Sequence, residues 1–223
     1  PDSPPPILIL KSGTMDNVAR TIALKGKGPD ILKRMIAAFK QGKTPVAHRR
    51  DTIKVGERYG FLFGAGLTSN FLEAAYEGDR KGFLKNAEVI ARAVAGGVAG
   101  SRKGLLKRLN AEVIADGRAL PFNDVLGMLA GTVEHVGMGF SPMPRAVEKD
   151  GTFQLIVAGI SPMKAVFQML HLKRGRPLRG EANFNDLVSR LEIVSGEPFR
   201  YTLDGDLYTA DKTLLVETGP PVH

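Results

Sequence analysis

Apolar positions along the chain follow two periods, helical near the N-terminus and strand-like toward the C-terminus. The run Ile7 to Leu10 is short and β-prone and stops at Lys11-Ser12-Gly13, after which Val18, Ala19, Ile22 and Ala23 fall at helical spacing. That pattern predicts a strand, a tight turn and a helix. Pro29 to Gln41 predicts a second helix, opened by its proline and carrying Ile31, Leu32, Met35, Ile36 and Phe39 on one face. Val46 to Val55 and Arg58 to Phe63 predict strands around a turn at Gly56. Leu67 to Tyr76 and Phe83 to Ala95 predict helices, the second stopped by Gly96-Gly97.

Beyond Gly104 short β-prone runs dominate: Ala111 to Ala115, Val125 to Val133, Phe153 to Gly159, Leu187 to Val194, Phe199 to Leu203 and Leu214 to Glu217, with one helix at Pro162 to Leu172. Asp116-Gly117, Asp150-Gly151 and Asp204-Gly205 are hairpin signals. Many short, turn-linked strands predict a mainly β protein with helices (α+β), a sandwich or barrel-like core of antiparallel sheets. No linker divides the chain, so one domain with a short strand-turn-helix lead-in is expected.

The 223 residues are 43% hydrophobic and 24% charged, an ordinary folded composition, and contain no Cys. Thiol catalysis, disulfides and Cys-ligated metals are therefore excluded. The opening PDSPPPILILKSG lacks a basic segment leading into a long apolar one, so no signal peptide is expected. The weakly polar stretch Ala87 to Gly100 carries Glu88 and Arg92 and is too short to span a bilayer.

Lys and Arg outnumber Asp and Glu by 31 to 23, a net charge of +8, of which residues 80–108 hold +7. There Arg80, Lys81, Lys85, Arg92, Arg102, Lys103, Lys107 and Arg108 stand beside Phe83, Leu84, Leu105 and Leu106, the mixture expected of a surface that docks on anionic lipid. A solvated helix face with its apolar side in the core explains the same pattern. A second stretch, His171 to Arg179, contains no acid. With no Trp, 4 Tyr and no base-reading motif, nucleic acid is not the expected partner.

Three segments carry candidate chemistry. In LKSGTMDNVAR, Leu10 to Arg20, a Gly-Thr turn before a helix presents backbone N–H groups to an anionic oxygen, though Thr14 as a cap and Asp16 as a dipole partner are the simpler reading of the segment alone. Leu203-Asp204-Gly205-Asp206 sets two carboxylates around a turn, where one can take a proton from a hydroxyl and the other orient it or help hold a metal. A plain hairpin is the simpler reading of that pair. Pro144 to Gly151, following Gly137-Met138-Gly139-Phe140, is a loop of acids and carbonyls of the kind that binds Mg²⁺, or an ordinary turn.

In this order the segments resemble the diacylglycerol kinase catalytic family, which includes bacterial lipid kinases and sphingosine kinases and is related to NAD kinases. LKSGTMDNVAR is similar to the family's Pro-x-Gly-Thr-x-Asn-Asp-Phe-Ala-Arg segment, and Pro144 to Gly151 to its Pro-x-Ala-x-x-x-Asp-Gly loop. Leu203 to Asp206 resembles its Asp-Gly-Glu motif, and Gly219 to Val222 its C-terminal strand exit. The resemblance covers nearly the whole chain and implies the two-sheet β-sandwich of a lipid-kinase C-terminal domain over residues 43–223, with residues 1–42 a remnant and linker from the nucleotide-binding half. It implies Asp204 as general base, Asp206 as its partner, Gly13, Thr14, Asp16 and Asn17 beside the phosphates, and Asp16 near a metal. The implied cofactors are ATP and Mg²⁺, and the implied substrate is a lipid alcohol such as diacylglycerol, met by a cytoplasmic, peripheral protein at an anionic membrane surface. A homodimer stays open.

The sequence also departs from that family. It has no Gly-Gly-Asp-Gly-Thr string, so the chain is expected to start after it. The Asn-Asp pair is reversed as Asp16-Asn17, and Lys149 stands where the family's structural Mg²⁺ site has an acid. Asp206 replaces Glu, and Glu73 is the lone carboxylate between Gly60 and Ala75. A non-catalytic lipid-binding module of the same fold is therefore the competing expectation, and this chain by itself is expected to be inactive.

Overall fold

The computed structural model describes residues 6–11, 16–44, 46–76, 104–137 and 140–223. The helix expected at Phe83 to Ala95 lies outside them. Two short leading helices, α1 (Asn17–Thr21) and α2 (Gly28–Lys40), come first, and α2 starts with proline in its first turn. Ile7 to Leu10, expected as a strand, belongs to neither sheet; Ile7 N instead donates to His223 O at 2.6 Å.

All strand pairs are antiparallel, and they form two sheets. One contains β1 (Arg50–Val55), β2 (Arg58–Gly60), β4 (Leu109–Ala115), β5 (Arg118–Ala119), β10 (Arg190–Ser195) and β13 (Thr213–Val222), in the order β2-β1-β13-β10-β4-β5. The short β6 (Asp124–Val125) pairs with β4. The other sheet runs β12-β11-β3-β7-β8-β9, from β3 (Leu62–Gly66), β7 (Gly127–Gly131), β8 (Phe153–Ala158), β9 (Asn183–Val188), β11 (Phe199–Leu203) and β12 (Asp206–Ala210). Helix α3 (Leu67–Tyr76) follows β3, and α4 (Pro162–Lys173) follows β8 with Ser161 as its cap.

The core lies between the sheets. Ile53, Val113, Leu191, Ile193 and Val216 from one meet Phe63, Met128, Phe153, Leu155 and Tyr201 from the other, each on the inward half of a period-two pattern. Strand β8 is buried on both faces, because Ile156 turns outward under Met143, Ala146, Leu172 and Leu178. Its largely apolar sequence, interrupted only by the buried and hydrogen-bonded Gln154, reflects that second cover.

Three sequence runs that read as single strands are each two strands in different sheets. Arg58 to Phe63 breaks at Phe61, Val125 to Val133 at Leu126, and the 183–195 region, read as one strand from Leu187 to Val194, at Ser189. Corners of this kind let one chain line both layers of the core. Asp150-Gly151 is a turn but no hairpin, since no strand precedes it; Gly151 N donates to Asp51 Oδ2 at 2.6 Å.

Candidate active site

The two Asp-Gly hairpins are built alike. Asp204 and Gly205 have φ of 51° and 99°, and Asp116 and Gly117 have 46° and 78°, the positive pair that a two-residue turn matched to strand twist requires. Asp204 Oδ1 accepts from Phe61 N at 3.0 Å and Leu62 N at 2.9 Å, Oδ2 lies 3.1 Å from Phe61 N, and Asp204 N donates to Leu62 O at 2.8 Å. Asp116 Oδ1 accepts from Ser189 N at 3.0 Å and Arg190 N at 2.9 Å, with Ser189 Oγ at 2.9 Å, and Asp116 N donates to Arg190 O at 2.9 Å. Each carboxylate thus collects the N–H groups that a sheet-to-sheet corner leaves out of the ladders.

Protein packed about the Asp204 carboxyl pushes its pKa above the ordinary 3.8, opposed by the Phe61 and Leu62 N–H groups and reinforced by repulsion from Asp206. Asp204 keeps solvent access at its edge, and Asp206, opening β12, is exposed. Gly60 allows the close approach: a Cβ there would lie 2.8 Å from Asp204 Oδ2 and 2.8 Å from Leu203 Cγ. Beside the hairpin, Arg58 sits 4.5 Å over the Tyr208 ring, which stacks on Tyr201 at 5.4 Å. A carboxylate of raised basicity at a solvent-accessible edge suits proton acceptance from a hydroxyl.

The Asp204 corner and α1 share one rim. Phe61 O accepts from Thr132 N at 3.0 Å, and two residues further Glu134 N donates to Thr21 Oγ1 at 3.2 Å. Asn17 lies one turn before Thr21 and on the same face of α1. Asn17 Oδ1 and the Thr132 hydroxyl are buried with no hydrogen-bond partner among the described residues. Asp16 adopts φ 45° at the helix start. Gly13 and Thr14 lie outside the described residues, as do Arg80, Lys81, Lys85, Arg92, Arg102 and Lys103.

Of the expected docking residues, Lys107 is exposed and lines a groove of about 300 Å³ with Glu73, Glu197 and Arg200. Arg108 belongs to the scaffold, since its guanidinium donates to Asp124 Oδ1 at 2.6 Å, Ile160 O at 2.7 Å, Gly159 O at 2.8 Å and Asp124 O. In the 144–151 loop, Arg145 binds Glu148 at 2.9 Å and Asp186 at 3.0 Å, while Arg49 binds Asp51 at 2.9 Å and Asp150. Arginines thus engage the loop's carboxylates, and among the described residues no three acids or histidines form a metal-binding group. The described residues alone thus present no ready set of protein ligands for a resident Mg²⁺. Asp116-Gly117 read as a hairpin and is one, but its anchoring of the 189–190 corner and the close approach at Gly60 carried no local signal.

No protein-family model matches the chain, and no curated protein sequence does. Solved structures match it in fold. One, described as a "putative diacylglycerol kinase" from Bacillus anthracis, superposes with a TM-score of 0.62 at 15% identity, covering 96% of this chain and 66% of its own. A second diacylglycerol kinase structure from that organism gives 0.55 at 15% identity, covering 93% and 62%. A third, again described as putative, gives 0.58 at 14% identity, covering 92% and 64%. The chain spans about two thirds of these structures, and over that span its two antiparallel sheets have the diacylglycerol-kinase-like fold.

Proposed function

We propose that the chain is the lipid-facing part of a diacylglycerol-kinase-like enzyme that transfers the γ-phosphoryl of ATP to a lipid hydroxyl. The observation that carries this reading is Asp204, a carboxyl of raised basicity on the rim that also holds α1. In the proposed reaction Asp204 accepts the hydroxyl proton, Asp206 keeps the local potential negative, and the 13–17 segment borders the phosphates. Such transfer depends on alignment and charge more than on covalent catalysis. In the same reading residues 1–42 belong with a nucleotide-binding half, and the exposed stripe Leu32, Ile36 and Phe39 on α2 supports a covering partner for that segment. Peripheral attachment to a cytoplasmic membrane face through the 80–108 region completes it. The deciding experiment is ATP-dependent phosphorylation of diacylglycerol in mixed micelles by the protein joined to a nucleotide-binding half. Transfer lost in Asp204→Asn supports the reading; transfer undiminished in that variant removes Asp204 from it.

A second reading, a non-catalytic lipid-binding module, is favoured by Asp116. That residue makes the same backbone bonds far along the sequence from the motif, so corner anchoring alone accounts for the Asp204 geometry. Absence of any transfer by the joined protein, with vesicle binding retained, supports this module.

A further inference from the structure

Helix α4 carries its apolar residues on the wrong side for a helix that serves only the core. Its inward face, through Leu172, joins Leu178 against Met143, Ala146 and Ile156. Its outward face presents Met163, Phe167 and Leu170, which are 46%, 73% and 62% exposed. The spacings of four and three place these side chains in one narrow stripe, with Arg174 continuing it at the helix end.

Along the helix and its trailing loop, up to Glu181, the charge has one sign. From Ser161 to Gly180 the chain has Lys164, Lys173, Arg174, Arg176 and Arg179 and no acid. Gln168 folds the trailing loop back onto the helix, donating from Nε2 to Arg179 O at 3.0 Å and accepting from Arg179 N. Among the described residues the carboxylates pair with Arg49, Arg108, Arg145, Arg190 and Arg200, and none pairs with these five cations. Lys173 instead lies 5.9 Å from the Phe140 ring centre.

We infer that residues 162–179 form a docking surface for an anionic lipid bilayer, with Phe167 and Leu170 entering the acyl boundary and the cations meeting lipid phosphates. An outward apolar stripe flanked by unpaired cations is the arrangement of an interfacial helix. A second copy of the chain fits poorly, because it would bring the same five charges against themselves. Nucleic acid would engage the cations and could stack on Phe167 but gains nothing from Met163 and Leu170. The docking surface is independent of the role given to Asp204.

The chain contains no Trp, so Phe167→Trp places a single tryptophan, excited apart from the 4 Tyr, at the centre of the stripe. Its emission is expected to shift to the blue on adding phosphatidylcholine vesicles containing phosphatidylglycerol, and not with phosphatidylcholine alone. In co-sedimentation the variant Lys173→Glu/Arg174→Glu/Arg176→Glu/Arg179→Glu is expected to lose about tenfold or more of its binding at low salt. Phe167→Ser/Leu170→Ser should lose the part that survives high salt. Arg118→Glu/Lys212→Glu, two exposed cations elsewhere, serves as the control and should bind like the parent. All variants are first checked for native circular dichroism. Parent-like binding by both α4 variants, an unshifted emission spectrum in Phe167→Trp, or preference for duplex DNA over vesicles through the same residues would overturn the docking surface. None of these results bears on Asp204, which is probed by phosphoryl transfer.

Discussion

Asp204 and Asp116, 88 residues apart in numbering, each pin a corner where the chain leaves one sheet for the other: Asp204 at Phe61-Leu62, Asp116 at Ser189-Arg190. In both, the aspartate heads a hairpin with positive φ and its own N–H bonds back to the corner. A shared scaffold role therefore sits beneath the chemistry proposed for Asp204, and substitutions at the two sites separate scaffold from chemistry.

Asn retains the carbonyl acceptor that both corners use. Asp204→Asn and Asp116→Asn should both fold, while in the joined enzyme Asp204→Asn lowers kcat by about 10²-fold or more and Asp116→Asn does not. Steady-state kinetics on the two variants decide it. Equal kcat in the parent and Asp204→Asn would leave Asp204 as a corner anchor only.

Ala removes the acceptor altogether. Asp116→Ala should destabilise the fold by about 1 kcal/mol, the low end for orphaned N–H groups because water reaches this corner. Urea unfolding measures it, and a midpoint unchanged from the parent would show that the corner holds without the carboxylate.

The raised pKa of Asp204 gives stability a defined pH slope. Between 3.8 and its higher folded value the folded state binds more protons than the unfolded one, so this contribution is complete below 3.8 and is lost as pH rises through the folded value. Asp204→Asn, uncharged throughout, lacks the slope. Unfolding of parent and variant across that window should show the parent losing stability relative to the variant as pH rises; a parallel pair of curves contradicts the assignment.

Gly60 sets how closely Asp204 approaches its corner, since a Cβ would stand 2.8 Å from Oδ2. Gly60→Ala should displace the carboxyl and lower kcat by roughly tenfold, with a stability cost of about 1–3 kcal/mol. A variant with unchanged kcat would show that the carboxyl position is immaterial.

Arg108 is distinguished from the other expected docking residues by its hydrogen bonds to Asp124, Gly159 and Ile160. Arg108→Gln breaks several charged hydrogen bonds and should cost about 2 kcal/mol or more, without changing vesicle binding by the folded protein. Reversal of Lys81, Lys85, Lys103 and Lys107 to Glu should reduce co-sedimentation with anionic vesicles. Equal binding by parent and reversal would mark that region as a solvated surface.

Periodicity and turn chemistry determined a good part of this protein directly. Helix α3 falls at Leu67–Tyr76 and β11 at Phe199–Leu203, as the residues read, while α2 shifts by one residue at both ends and α4 runs one residue longer at its C-terminal end. These signals are local: a proline in the first turn, alternating burial and an Asp-Gly pair act through neighbours in the chain. The antiparallel two-sheet class followed from them as well. What the tertiary structure decided is where each strand goes. Arg58 to Phe63 and Leu187 to Val194 are apolar enough to read as single strands, but Phe61 and Ser189 are corners, because the two halves bury their side chains in opposite layers of one core. Nothing local marks such a corner, since its N–H groups are satisfied by carboxylates 143 and 73 residues away. The same long-range packing committed Arg108 to the scaffold and turned the apolar stripe of α4 outward, because its inner face was already filled by Leu172.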